Sequence, residues 1–170
     1  MSGETIIIGV DPGTVITGYG IIVQGKHGLQ VVDYGCIRPP ASTLLSERYL
    51  IIYESLVELL QQYEPIEMAV ETQFVHKNVQ SALKLGMARG CAVIGAKQHK
   101  LKVYEYAPNE VKAAMTGTGK ASKQQMQGAV ARFLSLPKLP EPYDAADALA
   151  IAICHAHRRT NRLFNPAKEL

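Results

Sequence analysis

Two short apolar segments that each end in a carboxylate constrain this chain more than any other feature. Thr5–Val10 is rich in β-branched residues and stops at Asp11 and a Pro-Gly turn, while Ile66–Val70 stops at Glu71. Apolar runs of this length, bounded by turn residues, predict buried strands. Because a charge beside a buried strand is costly unless it is paired or bound to a metal, both carboxylates need a partner. We expect them to meet at one edge of a central sheet.

The remaining hydrophobic pattern predicts one α/β domain with a five-stranded sheet. The strands Gly18–Gln24 and Leu29–Ile37 follow the first strand closely enough to form an antiparallel meander. Leu101–Tyr106 is the fifth strand. The predicted helices are Leu45–Tyr63, Asn78–Lys97, one that starts at Pro108, one capped by Ser122, and Asp144 to about His155. A chain of 170 residues, 47% of them hydrophobic, is large enough to bury one substantial core.

A second pair of carboxylates, Asp144 and Asp147, shares one face of a helix that is otherwise Ala, Leu and Ile. Like charges one turn apart repel each other. Singly, Asp11 is explained as a turn former, Glu71 as a solvated strand end and Asp144 as a partner of the helix dipole. Together, the four predict an oxygen-only metal site, which selects Mg²⁺ or Mn²⁺ over zinc. Two such ions suit phosphodiester hydrolysis that leaves a 5′ phosphate and a 3′ hydroxyl.

Six sequence segments resemble the RuvC family of bacterial Holliday-junction resolvases, in order and in spacing. They are Ile8–Gly13, Thr17–Gly20, Val70–Glu71, Ser81–Gly86, Ala88–Gly90 and Asp144–Ala152. The resemblance runs from about Thr5 to His157. It implies an RNase H-like, three-layer α/β/α fold with a mixed five-stranded sheet. Residues 1–157 would form a single nuclease domain, and residues 158–170 a tail with no assigned role.

The resemblance also implies a function: a homodimeric, Mg²⁺-dependent endonuclease that cuts four-way DNA junctions by symmetric paired nicks in recombination and repair. Its catalytic, metal-binding carboxylates match Asp11, Glu71, Asp144 and Asp147. Two Mg²⁺ ions per active site are expected, with Mn²⁺ as a substitute. The partners would be junction DNA, a second copy of the chain and the RuvA–RuvB branch-migration complex. The expected location is the cytoplasm, without a membrane.

Several residues are candidates for DNA contact. Phe74 matches a family aromatic that stacks on a base, although a loop Phe folded back on the core is the alternative. Lys112 and Lys123 match basic residues near the family's active site, and the spacing of Lys123 points it toward the buried face of its helix. The other candidates are Lys77 and Asn78, which share the loop of Phe74, and Lys120, which lies in a basic loop.

Charge is strongly separated along the chain, although its net value is only +3. Residues 74–140 hold eleven Lys and Arg against two Glu, a net of +9, and the rest holds seven against thirteen, a net of −6. Many of these lysines have the ordinary explanation of a solvated surface. If the basic stretch binds DNA, affinity should fall steeply with salt.

Other functions and sites are also compatible with parts of the sequence. A catalytically idle junction-binding module would keep the fold, and Asp11–Thr14 resembles the phosphate loop of actin-like ATPases, which need a second domain. Cys154–His157 suggests zinc, but three widely spaced cysteines favour core thiols. Gly86 and Gly90 allow a helix to approach closely, either at a dimer contact or on the chain's own sheet. No apolar run reaches the roughly 18 residues that a membrane span requires.

Overall fold

The computed structural model describes residues 4–72, 78–160 and 168–170 of the chain. Six strands form a single sheet and five helices pack against it. The elements in chain order are β1 (Thr5–Asp11), β2 (Thr17–Gly25), β3 (Gly28–Ile37), α1 (Leu45–Tyr63), β4 (Glu67–Glu71), α2 (Val79–Gln98), β5 (Lys102–Tyr106), α3 (Pro108–Thr116), α4 (Lys123–Phe133), α5 (Tyr143–Thr160) and β6 (Lys168–Glu169). The predicted α/β class and the five helices are confirmed.

The sheet is mixed, with the strand order β3-β2-β1-β4-β5-β6. Strands β1, β2 and β3 form the predicted antiparallel meander, whereas β4 and β5 run parallel to β1. Parallel neighbours require crossover connections, and the helices α1 and α2 supply them. The carboxyl ends of β1, β4 and β5 therefore lie together at one edge of the sheet.

Helices cover both faces of the sheet, which gives the predicted three layers. On one face, α1 and α2 pack on Ile8, Val10, Met68 and Val70 through a stripe that includes Ile52 and Leu56. On the other face, α3, α4 and α5 pack on Ile7, Ile22 and Ala69. Strands covered on both faces read as continuous apolar runs, which is why β1 and β4 were predictable from sequence.

The prediction of five strands is wrong, because the C-terminal tail contributes a sixth. β6 pairs antiparallel with β5, and Leu170 N–H donates to the Val103 carbonyl over 2.9 Å. Two residues of tail carry no strand periodicity, so this edge pairing left no signal in the sequence. The last helix also continues to Thr160 rather than ending near His155. The proposed boundary at residue 157 remains a prediction.

The helix termini follow the predicted local chemistry. Pro108 occupies the first turn of α3. At the start of α4, Ser122 Oγ accepts from the Gln125 N–H over 3.2 Å, and Gln125 Oε1 accepts from the Ser122 N–H over 2.8 Å. The capping box is therefore confirmed. No helix in the described part of the chain combines the length and the hydropathy that a membrane crossing requires.

Candidate active site

Strands β1 and β4 bring Asp11 and Glu71 together at the carboxyl edge of the sheet. The parallel register pairs Val10 with Val70, so the next residue on each strand is one of the two carboxylates. Both side chains are half-buried, and the two carboxyl groups lie close enough for the Glu71 charge to raise the pKa of Asp11. The predicted meeting of these residues at one sheet edge is what the structure shows.

Helix α5 brings Asp144 and Asp147 to the same place because it lies very close to β1 and β2. A methyl group on Gly18 would come within 2.0 Å of the Asp144 carbonyl oxygen, and one on Gly9 within 2.1 Å of the Ala148 carbonyl oxygen. Only glycine allows the helix backbone to approach the sheet this closely. The glycines of β1 and β2 therefore set the depth at which the first turn of α5 sits.

The carboxylates repel one another strongly. Burial, followed by the charge and hydrogen bond of Glu71, raises the pKa of Asp11 well above 3.8, and the charges of Asp147 and Asp144 raise it further. Burial and the charge of Asp147 raise the pKa of Glu71 above 4.5, although Asp11 and Lys112 oppose the rise. Burial likewise raises the pKa of Asp147. Without an added cation, negative charge at this site is disfavoured.

A cleft opens beside these carboxylates and is lined by two lysines as well. It has a volume of about 200 Å³, and its lining residues are Glu71, Pro108, Val111, Lys112, Lys123, Met126, Asp147 and Ile151. Lys112 and Lys123 both lower the pKa of Asp147 through their charge. Lys123 is exposed rather than turned toward the core, and its ammonium lies 5.5 Å from the centre of the Tyr143 ring. The cleft thus places carboxylates and ammonium groups around one space.

The other candidate DNA contacts lie away from this cleft or outside the described residues. Asn78 is exposed and caps α2, where its side chain accepts from the Ser81 N–H over 3.2 Å. Lys120 is exposed in the loop between α3 and α4. Phe74 and Lys77 fall in residues 73–77, which the structure does not describe. Of the four candidates that the structure describes, Lys112 and Lys123 line the cleft with the carboxylates.

The donor chemistry of the site fits a divalent cation. Within residues 4–72, 78–160 and 168–170, no three His, Cys, Asp or Glu side chains are gathered tightly enough to hold an ion as they stand. The four carboxylates nevertheless act on one another electrostatically, and three of them have a raised pKa. Oxygen-only donors with excess negative charge suit Mg²⁺ or Mn²⁺. Binding would require the carboxylates to draw closer together.

The sequence did not reveal a second buried polar cluster, near the C-terminal end of α5. His155 is 1% exposed and Glu67 is 7% exposed, and their side chains contact each other. Both ring nitrogens of His155 have protein partners, so the zinc reading of Cys154–His157 finds no support here. Cys154 is buried as predicted, but Cys36 and Cys91 are only half-buried. In the sequence, the acidic residue Glu67 at the start of β4 was the one indication of this cluster.

A protein-family model and curated relatives point to one family. The profile of the family described as "Crossover junction endodeoxyribonuclease RuvC" matches residues 7–155. A protein of that name from Protochlamydia amoebophila is 57% identical over 156 residues, covering 92% of this chain and 93% of the relative. Another, from Legionella pneumophila, is 47% identical over 155 residues, covering 91% and 88%.

A solved structure agrees in fold over nearly the whole chain. The structure titled "T. thermophilus RuvC in complex with Holliday junction substrate" superposes with a TM-score of 0.88 at 32% identity. The match covers 98% of this chain and 99% of the other. On the family match, these relatives and the shared fold, this chain belongs to the RuvC family of crossover junction endodeoxyribonucleases.

Proposed function

We propose that this chain resolves four-way DNA junctions by metal-dependent phosphodiester hydrolysis, making symmetric paired nicks with 5′-phosphate and 3′-hydroxyl ends. The observation that carries the proposal is the meeting of Asp11, Glu71, Asp144 and Asp147 at one sheet edge, beside the cleft of Lys112 and Lys123. The chain is a RuvC-family nuclease, and the Thermus thermophilus relative was solved with a Holliday-junction substrate. Recombination and DNA repair are the processes that such an activity serves.

We propose that the four carboxylates hold two Mg²⁺ ions, which Mn²⁺ can replace. When bound, a pair of such ions generates the attacking hydroxide and stabilises the leaving oxygen of the phosphodiester. The chain's own contribution is to hold Asp11 and Glu71 at the ends of packed strands. It also holds Asp144 and Asp147 on helix α5, whose backbone packs closely against glycines of β1 and β2. Positions fixed by packed elements are more precise than loop positions. The raised pKa of Asp11 supports the proposal, because a cation would relieve the repulsion behind it.

The candidate DNA contacts have distinct proposed roles. Lys112 and Lys123 face the cleft and would attract the phosphate next to the cut, while Lys77, Asn78 and Lys120 would contact the backbone farther away. Phe74 would stack on an unpaired base at the crossover, worth about 1–3 kcal/mol. We expect Phe74→Ala to slow single-turnover cleavage more than it weakens junction affinity. A pure loss of affinity, with an unchanged maximal rate, would count against stacking.

A homodimer would supply the two active sites that symmetric nicks require. One face of α2 supports a second copy as its occupant, since Val79, Leu83 and Met87 are 65%, 64% and 57% exposed at successive turns. On the same helix, methyl groups built on Gly86 and Gly90 meet no described atom within 4 Å. An apolar helix face with small residues suits close packing against a copy of itself. Leu83→Glu should convert a dimer into a monomer in sedimentation equilibrium.

The family resemblance supports two further elements of the proposal. Junctions would be received from the RuvA–RuvB branch-migration complex, and the work would take place in the cytoplasm, where the chromosome of a bacterium lies. Addition of purified RuvA–RuvB to a mobile junction should change the positions of the nicks if the proteins act together. Residues 1–157 would form the nuclease domain, and no role is proposed for residues 158–170.

The proposed function is tested with a synthetic four-way junction and a linear duplex of the same sequence. In Mg²⁺ we expect paired nicks at symmetric positions of the junction, which DNA ligase can seal. The duplex should stay intact, and EDTA should stop the reaction. Because ligase needs a 5′ phosphate and a 3′ hydroxyl, sealing reports the chemistry of the ends as well as the symmetry.

Two rival functions give different results in the same set of experiments. A catalytically idle binding module would retain the junction in a gel-shift assay and leave it uncut with Mg²⁺ and with Mn²⁺. An actin-like nucleotide-binding domain would bind ATP in a calorimeter and show no preference for junction DNA. Either outcome would overturn the proposal of a junction nuclease.

A further inference from the structure

A chain of buried polar contacts joins β4, β5 and the C-terminal turns of α5. Glu67 Oε2 accepts from His155 Nε2 over 2.9 Å and from Arg159 Nε over 2.8 Å. Since a carboxylate only accepts, Nε2 carries a proton, and Nδ1 of a neutral ring is then free to accept from the Tyr106 hydroxyl, 2.6 Å away. The side chains of Glu67, Tyr106 and His155 are all buried. We call these three residues and Arg159 the α5 clamp.

The clamp connects two of the three elements that carry the candidate metal ligands, β4 and α5. Strand β4 begins at Glu67 and ends at Glu71, and these two residues point to the face of the sheet that α5 covers. Helix α5 carries Asp147 near its start and His155 eight residues later. Tyr106 stands beside Glu71 in the sheet register, and its carbonyl accepts from the Thr72 N–H over 2.8 Å.

The two spacings match in length. The four residue steps from Glu67 to Glu71 along β4 span about 13 Å, at roughly 3.3 Å per step. The eight residue steps from His155 back to Asp147 along α5 span about 12 Å, at roughly 1.5 Å per step. Because the two elements run in opposite directions, the bond between Glu67 and His155 at one end fixes the distance between Glu71 and Asp147 at the other. Glu71 and Asp147 do line the same cleft.

The rest of the α5 contact surface is apolar, with alanines interspersed with the buried Leu149, Ile151 and Ile153. The helix presents Ala148 and Ala152 to Gly9 and Leu149 to Gly20, and this packing sets depth through close contact. Apolar contacts are non-directional, whereas hydrogen bonds lose strength steeply when their geometry changes. The buried polar network therefore adds a directional constraint on the register of α5 to the constraint that apolar packing supplies.

We propose that Glu67, Tyr106 and His155 are positioning residues for the metal site, which hold α5 in the register that places Asp147 opposite Glu71. This inference rests on the proposed metal site. None of the four clamp residues is among the residues that line the cleft. Their effect reaches the site through the rigid body of α5 and through β4.

The test measures Mn²⁺ binding to the protein without DNA, by calorimetry or electron paramagnetic resonance, in wild type and in clamp variants. His155→Leu removes both hydrogen bonds and should weaken Mn²⁺ binding about tenfold, the scale of losing a group that orients metal ligands. His155→Gln keeps an N–H donor for Glu67 and should restore most of the affinity. Tyr106→Phe removes one hydroxyl at constant shape and should cause a smaller loss.

Leu56→Ala is the matched control, because Leu56 is fully buried in the opposite layer, between α1 and the sheet. It should lower thermal stability by a similar amount and leave Mn²⁺ affinity unchanged. Unchanged affinity in both His155→Leu and Tyr106→Phe would overturn the inference, and if His155→Leu does not fold, Tyr106→Phe decides alone. Absence of Mn²⁺ binding in wild type would instead refute the proposed metal site.

Discussion

Two polar clusters lie near opposite ends of α5, the clamp around Glu67 and the four carboxylates at the sheet edge, and they differ in the partners that surround the acids. In the clamp, Glu67 is buried, which raises its pKa, but hydrogen bonds from His155 and Arg159 more than offset this and hold the pKa below 4.5. At the sheet edge, burial raises the pKa of both Asp11 and Glu71, and the charge of a neighbouring carboxylate, Glu71 beside Asp11 and Asp147 beside Glu71, raises each further. The carboxylate at one end of α5 thus has partners that stabilise its charge, whereas the carboxylates at the other end lie close to one another.

The difference separates a structural carboxylate from a functional one. A buried charge with a full set of protein partners contributes to the folded state, whereas a group of like charges without them lowers stability and persists at sites that bind a ligand. Lys112 and Lys123 offset only part of the negative charge at the sheet edge. The missing positive charge is what a divalent cation would supply.

The largest expected effect comes from removing one charge at the sheet edge. We expect Glu71→Gln to reduce junction cleavage by at least about 10²-fold, the lower range for losing one preorganised electrostatic group. Junction affinity should stay equal or rise, because a repulsion toward phosphate is lost. Single-turnover cleavage and gel-shift titration in Ca²⁺ measure the two quantities. A near wild-type rate would show that Glu71 has no role in catalysis.

The next effect comes from filling the space under α5. In Gly18→Ala the new methyl group would collide with the Asp144 backbone, so the helix must move away from the sheet. We expect a loss of about 1–3 kcal/mol in the free energy of unfolding and slower cleavage even when the protein is fully folded. Gly128→Ala on α4 is the control, since its methyl group meets nothing within 4 Å in the described chain. That variant should keep full activity and gain slightly in stability.

Neutralising one acid in each cluster should change stability in opposite directions. In metal-free buffer at neutral pH, Asp11→Asn should raise the free energy of unfolding by about 1 kcal/mol or more, because it replaces a carboxyl group whose ionised form is disfavoured by burial and by the nearby carboxylates. Glu67→Gln should lower it by about 1–3 kcal/mol, because charged hydrogen bonds are lost. Urea denaturation monitored by circular dichroism gives both values. The same sign for both variants would contradict the comparison.

The smallest effect is the pH dependence of the clamp. Because the folded pKa of Glu67 is lowered, its charged form stabilises the fold at pH values above the unfolded pKa of about 4.5. This contribution is lost as the pH falls through the folded pKa. The stability difference between wild type and Glu67→Gln should therefore shrink from pH 6 toward pH 3. A difference that stays constant over this range would mean that His155 and Arg159 do not stabilise the charged form.

Much of the fold could be predicted because β1, β4 and α1 carry strong hydrophobic patterns. The carboxylates at the sheet edge were predictable for a related reason, since a charge at the end of an apolar run is conspicuous. β6 was missed because two residues of tail have no periodicity and pair only through the backbone. Lys123, predicted on the side of its helix that carries Met126, lines the cleft together with Met126 but is exposed there, because the first turn of α4 opens onto the cleft.

The clamp and the glycine contacts could not be found in the sequence because each depends on residues far apart in the chain. Glu67 and His155 are 88 positions apart, and only the pairing of β4 with α5 shows that one satisfies the other. Gly18 reads as an ordinary strand residue until the helix backbone is seen against it. The roles of the individual site residues and the position of residue 157 as a domain boundary remain predictions.

The central claim is that the sheet-edge carboxylates need a divalent cation and the clamp does not. It is tested most directly by following the thermal unfolding temperature of wild type, Asp11→Asn and Glu67→Gln as Mg²⁺ is added in the absence of DNA. Binding to the folded state alone raises stability with concentration. We expect the unfolding temperature to rise in wild type, to rise in Glu67→Gln at higher Mg²⁺ concentrations because the clamp is weakened while the four carboxylates remain, and the rise to be largely lost in Asp11→Asn. No rise in wild type, or an equal rise in Asp11→Asn, would contradict the claim.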